Sequence, residues 1–349
     1  MQKTTFPLIT LLLTLLMSSC AGIKYLTVET REPAQVNFPS NIHSIAIVNN
    51  VVNQPDEVGH DIIPIGHTQA ERKKVSSDSA AIFYTEALAQ FVDEEDYFYR
   101  VIYYNEPLRK DNDFFMERPI DPEIMLRIRR ETGADAIISL DKLIIETRES
   151  ENFKLQGYIH ADLKGKIHSI LRVYMPTMEG KIPAVQYNDS IRWEGFNIHD
   201  GKAYSDHMLP SREEVIKLLA VRAAEKMTYV FVPHWEMQDR WYYTLFNTLM
   251  REGESYARGS QWNKAIEKWE AFYHHSSKKI DKAKAANNIA LAYEMLDEMD
   301  RALEWAKQSN NLFIESTAAN SLERRRSLLY KNEIERRNNH SNRLNIDDF

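Results

Sequence analysis

The chain carries one cysteine in 349 residues, Cys20, so whatever it folds into must do without an intrachain disulfide. A multi-cysteine metal site is excluded with it. Packing alone has to hold the fold. The place of that cysteine matters as much as its solitude. Lys3 is the only charge in the first 23 residues, an apolar run extends from Phe6 to Met17, and the small residues Ser18, Ser19, Cys20 and Ala21 follow. A positive start, a short apolar core and a small-residue exit are the parts of an export signal. The run is too short to cross about 30 Å of hydrocarbon as a stable helix. Residues 1–19 therefore read as a signal peptide that is removed.

Met17-Ser18-Ser19-Cys20 resembles the lipobox of bacterial lipoproteins, with methionine where leucine is commoner. That resemblance implies a diacylated thiol on Cys20 and a mature chain that begins there. Each buried acyl methylene is worth ~0.8 kcal/mol, so two or three chains anchor firmly. Removing residues 1–19 takes one lysine and leaves 43 basic against 51 acidic residues, a formal net charge of −8. A nucleic-acid partner would need a basic face, so none is expected. About 330 residues remain, enough for two domains with sizeable cores.

Residues 20–43, with Pro33 and Pro39 and little periodicity, read as a tether ending in a short extended piece. An α/β domain with a mixed sheet is expected over 44–235. Ser44–Val48 reads as a buried central strand, and 51–75, with Pro55, Gly59, Pro64 and Gly66, as a long loop. Ser77 or Asp78 caps a helix through Phe91, and an aromatic strand spans Tyr97–Tyr104 with two largely apolar faces. Asp121-Pro122 opens a second helix that stops at Gly133, and Ala136–Leu140 follows as a strand. Tyr158–Tyr174 and Pro183–Phe196 alternate as a hairpin with a turn at Met178-Glu179-Gly180. Ser211 with Glu213 and Glu214 then starts a helix through Met227.

From Trp241 to residue 335 no strand signal appears, and a repeat does. Gly253, Tyr256, Ala265 and Trp269 fall at the same offsets as Ala290, Tyr293, Ala302 and Ala306, 37 residues on. The pattern resembles the tetratricopeptide repeat, whose period is about 34. That family implies antiparallel helix pairs drawn together at the small residues, with the tyrosine filling the space between. Glu252 departs from it where an apolar residue is usual, Ala306 where an aromatic is, and neither repeat ends in proline. A tetratricopeptide-like module is thus expected over 241–335, before a frayed tail over 336–349; the helix at 213–230 with its 235–243 extension and the segment 311–335 are the candidates to seal its ends.

The mature chain as a whole resembles a group of uncharacterised lipoproteins from Bacteroidota. The resemblance rests on Met17–Cys20, His43–Asn50, Thr132–Leu140, Val232-Pro233-His234-Trp235 and the repeat pair. The element order of the first domain also looks like that of periplasmic lipoproteins that assemble outer-membrane machines, which speaks for fold only. No acid precedes Glu29 after the cysteine. Surface-exposed members of such lipoproteins often carry an acidic patch there, so the periplasmic face of the outer membrane is the expected location.

Catalytic signatures are missing. The chain has no Gly-x-Ser-x-Gly elbow, no phosphate loop and no His-Glu-x-x-His helix, and no cofactor is expected. His160 and Asp162 share a strand face and could ligate a metal, but a solvated face explains them better. His274-His275 reads as loop surface, and Asp93–Asp96 as a solvated acidic turn rather than facing catalytic carboxylates. Arg324–Arg326 with Arg336-Arg337 could meet anionic head groups; the interleaved Glu323, Glu333 and Glu335 favour a solvated helix face. Tyr97–Tyr104 could also offer an aromatic sugar platform. The expectation is a non-catalytic scaffold, held to the membrane through Cys20, with an envelope protein or peptide at the helical repeats. An envelope hydrolase of glycan or lipid, or a glycan-binding lipoprotein, are the alternatives.

Overall fold

The computed structural model describes residues 22–347, apart from 110, 154–157, 177–182 and 199–208. Cys20 and the 178–180 turn lie outside the described residues. The chain divides into two units. One is Ala34–His234. The other joins the stretch through Pro33 to everything from Trp235 onward, so in sequence the first unit is inserted into the second. A mixed-sheet domain followed by a run of helices is the fold class expected.

Strand β1 (Ile23–Glu32) belongs to the second unit. The first unit is organised around β2 (Ser44–Asn49), which lies between β5 (Arg100–Tyr104) and β6 (Ala136–Phe153), parallel to both. The strand period of two sends alternate residues to opposite faces. Ile45 and Ile47 enter one core with Leu88, Leu219 and Phe231; Ala46 and Val48 enter another with Ile128 and Ile137. A strand buried on both faces must be apolar throughout, as Ser44–Val48 nearly is.

Helix α1 (Ala80–Glu94) starts later than the Ser77 or Asp78 reading, with Ser79 at its N-cap and no side-chain cap bond. Helix α2 (Pro122–Thr132) has the termini its sequence announces: the Asp121 carboxylate accepts from the Glu123 N–H, Pro122 occupies the first turn, and Gly133 ends it at φ 68°. Helix α3 (Arg212–Phe231) opens on a capping box between Ser211 and Glu214. It is a core element of the α/β unit, through Val215, Leu219, Met227 and Phe231.

The sheet holds more strand than its sequence announced. The 51–75 loop contains β3 (His60–Ile63) and β4 (Glu71–Arg72). β6 runs 18 residues rather than five, pairing with β2 at its start and β3 further on. Along its other side runs β7 (Tyr158–Tyr174), antiparallel, and beyond that β8 (Ala184–Ile198). A register shift between Leu140 and Lys142 marks a bulge at Asp141, which is fully buried. The aromatic strand begins at Arg100, because Asp96, at φ 52°, turns the chain after α1. Phe98 then packs against Phe38 with ring centroids 5.1 Å apart, while Tyr99 is 93 % exposed.

His60 on β3 is fully buried, with Nδ1 2.8 Å from Thr147 Oγ1 and Nε2 3.4 Å from Ser77 Oγ. Burial, then the charge of Arg212, holds its pKa below the ordinary 6.5. Its neutral form is therefore favoured in the folded state. The associated stability is whole above pH 6.5 and is lost as pH falls from there towards the depressed folded value. Urea midpoints of wild type should fall more steeply below that pH than those of His60→Gln. Parallel curves would remove His60 from the acid response.

In the second unit β1 pairs with β9 (His234–Tyr243). The Thr244 N–H donates to the Gly22 carbonyl and the Thr30 hydroxyl to the Glu236 carbonyl, so the strands run antiparallel. The stretch read as a tether and the 235–243 stretch read as an extension of the preceding helix thus form a ribbon. Five helices follow: α4 (Thr248–Arg258), α5 (Trp262–His275), α6 (Lys279–Glu294), α7 (Met299–Ser316) and α8 (Leu322–Asp347). α8 continues through the segment expected to fray.

Two helix pairs, α4–α5 and α6–α7, share one turn. Ser260 and Asp297, 37 residues apart, both take positive φ, at 55° and 59°. The next N–H, of Gln261 or Glu298, donates to the carbonyl of Tyr256 or Tyr293 at 2.9 and 3.0 Å. Lys264 stands over the Tyr256 ring and Arg301 over the Tyr293 ring. The repeat read from the sequence is therefore also a repeat of backbone geometry.

Candidate functional site

The repeat residues pack as their sizes require. Ala265, Trp269, Ala290 and Ala302 are fully buried, Ala306 and Tyr293 nearly so, and Tyr256 half. Gly253 is the point of closest approach: a Cβ there would stand 2.4 Å from Nε1 of Trp269, whose ring N–H donates to the Met250 carbonyl at 3.3 Å. Those residues build the scaffold of a groove, and Trp269 meets the Tyr242 ring at 6.3 Å between centroids.

The groove is lined by α6, and it is filled by the chain's own ribbon. α6 is written Ala-Ala-Asn-Asn-Ile-Ala-Leu-Ala over 285–292, and every one of these residues is buried. Its small side chains admit neighbours on all sides. In a strand, successive backbone groups point to opposite edges. Thr244 turns its N–H towards β1, so Tyr243 and Trp241 turn theirs away from it, towards α6. There Asn288 Oδ1 accepts the Tyr243 N–H at 2.6 Å and Asn288 Nδ2 donates to the Tyr243 carbonyl at 2.7 Å. Asn287 Nδ2 donates to the Trp241 carbonyl at 3.3 Å. The pair covers a strand edge that would otherwise lie open.

At the far end of α6, Glu294 is fully buried. It accepts from Arg240 Nε of β9 at 2.8 Å, from the Tyr330 hydroxyl of α8 at 2.8 Å, and from Arg337. Burial first, and then the Glu294 charge, pushes the Tyr330 hydroxyl well above its usual pKa, so it stays a neutral donor. Glu333 extends the network to Arg240, and Arg336 joins Glu333 to Glu32 of β1. Arg336-Arg337 are thus structural pairs and not the solvated face expected. Three arginines meet three glutamates here, and the network pins ribbon to helices.

Sequence reasoning missed Asn287, Asn288, Glu294 and Arg240. The available signal was two adjacent amides inside an alanine-rich helix, where neither flank offers a polar face.

A second candidate lies on the α/β unit. The solvent face of β6–β7–β8 carries a cleft of about 580 Å³ lined by Ile144, Glu146, Lys166, His168, Asn188 and Ser190. A smaller hollow of about 200 Å³ shares Glu146 and Lys166 with it. One row places Arg148, Lys164 and Arg192 in register across three strands. Acids flank the row: Asp61 meets Arg148, and Asp162 meets Arg192. Asp189 at the cleft is raised by burial. The Ser190 N–H, the Tyr187 hydroxyl and Arg222 outweigh that and hold it below the usual carboxylate pKa.

Asp162 therefore serves an ion pair, and among the described residues no group of His, Asp and Glu side chains is arranged to hold a metal. His275 donates from Nδ1 to the Ala271 carbonyl, 2.7 Å away, on an exposed helix end. Asp93–Asp96 are exposed at the end of α1.

Residues 42–243 match a family model described as a domain of unknown function (DUF8603), more than half of the chain. Residues 251–336 match a second, also a domain of unknown function (DUF6340). No curated protein matches the chain.

Proposed function

The chain belongs to the DUF8603 family, and on that footing we propose that it is a lipid-anchored lipoprotein of the Bacteroidota envelope that serves as an interaction scaffold, most naturally on the periplasmic face of the outer membrane. Its tetratricopeptide-like helices form a base. The observation that carries the reading is the asparagine grip of α6 on β9: a repeat groove that takes an extended chain by its main-chain groups. Main-chain recognition of this kind holds a peptide whatever its side chains. In this chain the peptide held is its own, and it is one of the two connections to the inserted α/β unit. The helices therefore fasten that unit's stem, and the open polar cleft beside Lys166 and His168 is the surface left for a partner.

Photo-crosslinkers at Lys166 and, on the helices, at Lys268 test this in intact cells. Adducts with an envelope protein above a no-irradiation control are expected. Their absence from both positions counts against a scaffold. Anchoring is tested separately by the intact mass of wild type against Cys20→Ser: the wild type should carry acyl mass that the variant lacks.

A further inference from the structure

We propose that the end of the helical unit bearing Phe246, Tyr25, Lys24 and Arg251 rests on lipid head groups, so that the anchored protein is held against the bilayer by its own side chains. This builds on acylation of Cys20. The first support is the length of the chain between anchor and fold. Gly22 follows Cys20 by two residues, which span at most ~7 Å when fully extended. That is about the depth of one head-group layer, and less than the ~8 Å over which salt screens a surface charge. No slack remains to lift the unit clear of the membrane.

Gly22 is itself clamped. Its carbonyl accepts the Thr244 N–H at 2.8 Å. Its φ of +86° suits glycine, and a Cβ there would meet the Thr244 carbonyl oxygen at 2.7 Å. The tether therefore enters the fold beside the turn that carries Phe246, two residues beyond Thr244.

The second support is what stands on that turn and beside it. Phe246 is 93 % exposed and Tyr25 63 %. The Arg251 guanidinium lies 3.9 Å from the centre of the Phe246 ring and makes no ion pair among the described residues. Lys24, half exposed, shares Glu254 with Arg258. Aromatic rings and cations together are the side chains that settle at a bilayer interface, rings at head-group depth and cations at the phosphates. In water the same Phe246 would gain nothing from its exposure. Met237, another exposed apolar residue, sits seven residues further along β9 from Thr244, about 23 Å at the rise of a strand. The short tether does not bring it to the surface.

The full acylated protein is reconstituted into phosphatidylethanolamine–phosphatidylglycerol vesicles, with its acyl mass checked first. Acylation consumes the chain's one cysteine, so a nitroxide placed through Phe246→Cys or Met237→Cys reports a single site. At 246, collisions with dissolved oxygen should rise and those with a water-soluble nickel chelate should fall, relative to 237. Acyl mass present with equal, aqueous behaviour at both sites overturns the membrane contact and leaves the anchor standing. Absence of acyl mass overturns the anchor, and the contact falls with it.

Discussion

Glu294→Leu should cost the helical unit about 3–5 kcal/mol, the loss typical when one member of a buried charge pair is deleted. Glu294 is fully buried and accepts from three donors, Arg240, Arg337 and Tyr330. Its removal leaves Arg240, whose side chain is 5 % exposed, with only Glu333 at 3.5 Å for charge compensation. The arginines then outnumber the acids of the network, three against two. Desolvation is the larger half of the cost, so adding Arg240→Met should restore part of the stability. Five of the six tryptophans, 235, 241, 262, 269 and 305, belong to this unit, and the fluorescence transition in urea reports it. An unchanged midpoint for the single variant would mean that the pair carries no weight.

Gly253→Ala should lower stability by about 1–3 kcal/mol through overpacking, although alanine is the better helix former by about 0.8–1.0 kcal/mol. The added Cβ stands 2.4 Å from a fully buried indole that is fixed by its own hydrogen bond, so the ring cannot swing aside cheaply. The sign should reverse once the ring is gone. In a Trp269→Leu background the same Gly253→Ala change should stabilise, because only the helix preference remains. The four midpoints form a double-mutant cycle, and additive values would show that the two sites are not coupled.

Local chemistry was readable where one segment sufficed to specify it. Asp121, Pro122 and Gly133 announce both ends of α2, and Ser211 with Glu214 announces the start of α3. The alternation of β7 and β8 shows which face is dry. The repeat was readable because its turns recur with the same backbone 37 residues apart. What failed to show were pairings between distant segments. Residues 23–32 carry few apolar side chains, their partner lies more than 200 residues on, and the prolines at 33 and 39 made the stretch look like a linker. β3 is four residues long and takes its place as a strand between β4 and β6, the latter more than 80 residues on. The candidate site suffered most. Asn287 and Asn288 look like helix surface until β9 is laid against them, and Glu294 has no meaning without Arg240, 54 residues upstream.

Hydrogen exchange at the Tyr243 amide addresses most directly whether the groove is occupied by its own chain. That N–H should exchange as slowly as the amides of α6, and Asn288→Ala, which strips it of its acceptor, should accelerate it while α6 stays protected. Exchange in the wild type as fast as at the exposed Ser277 would mean that the strand comes and goes, and that the groove is open for another peptide.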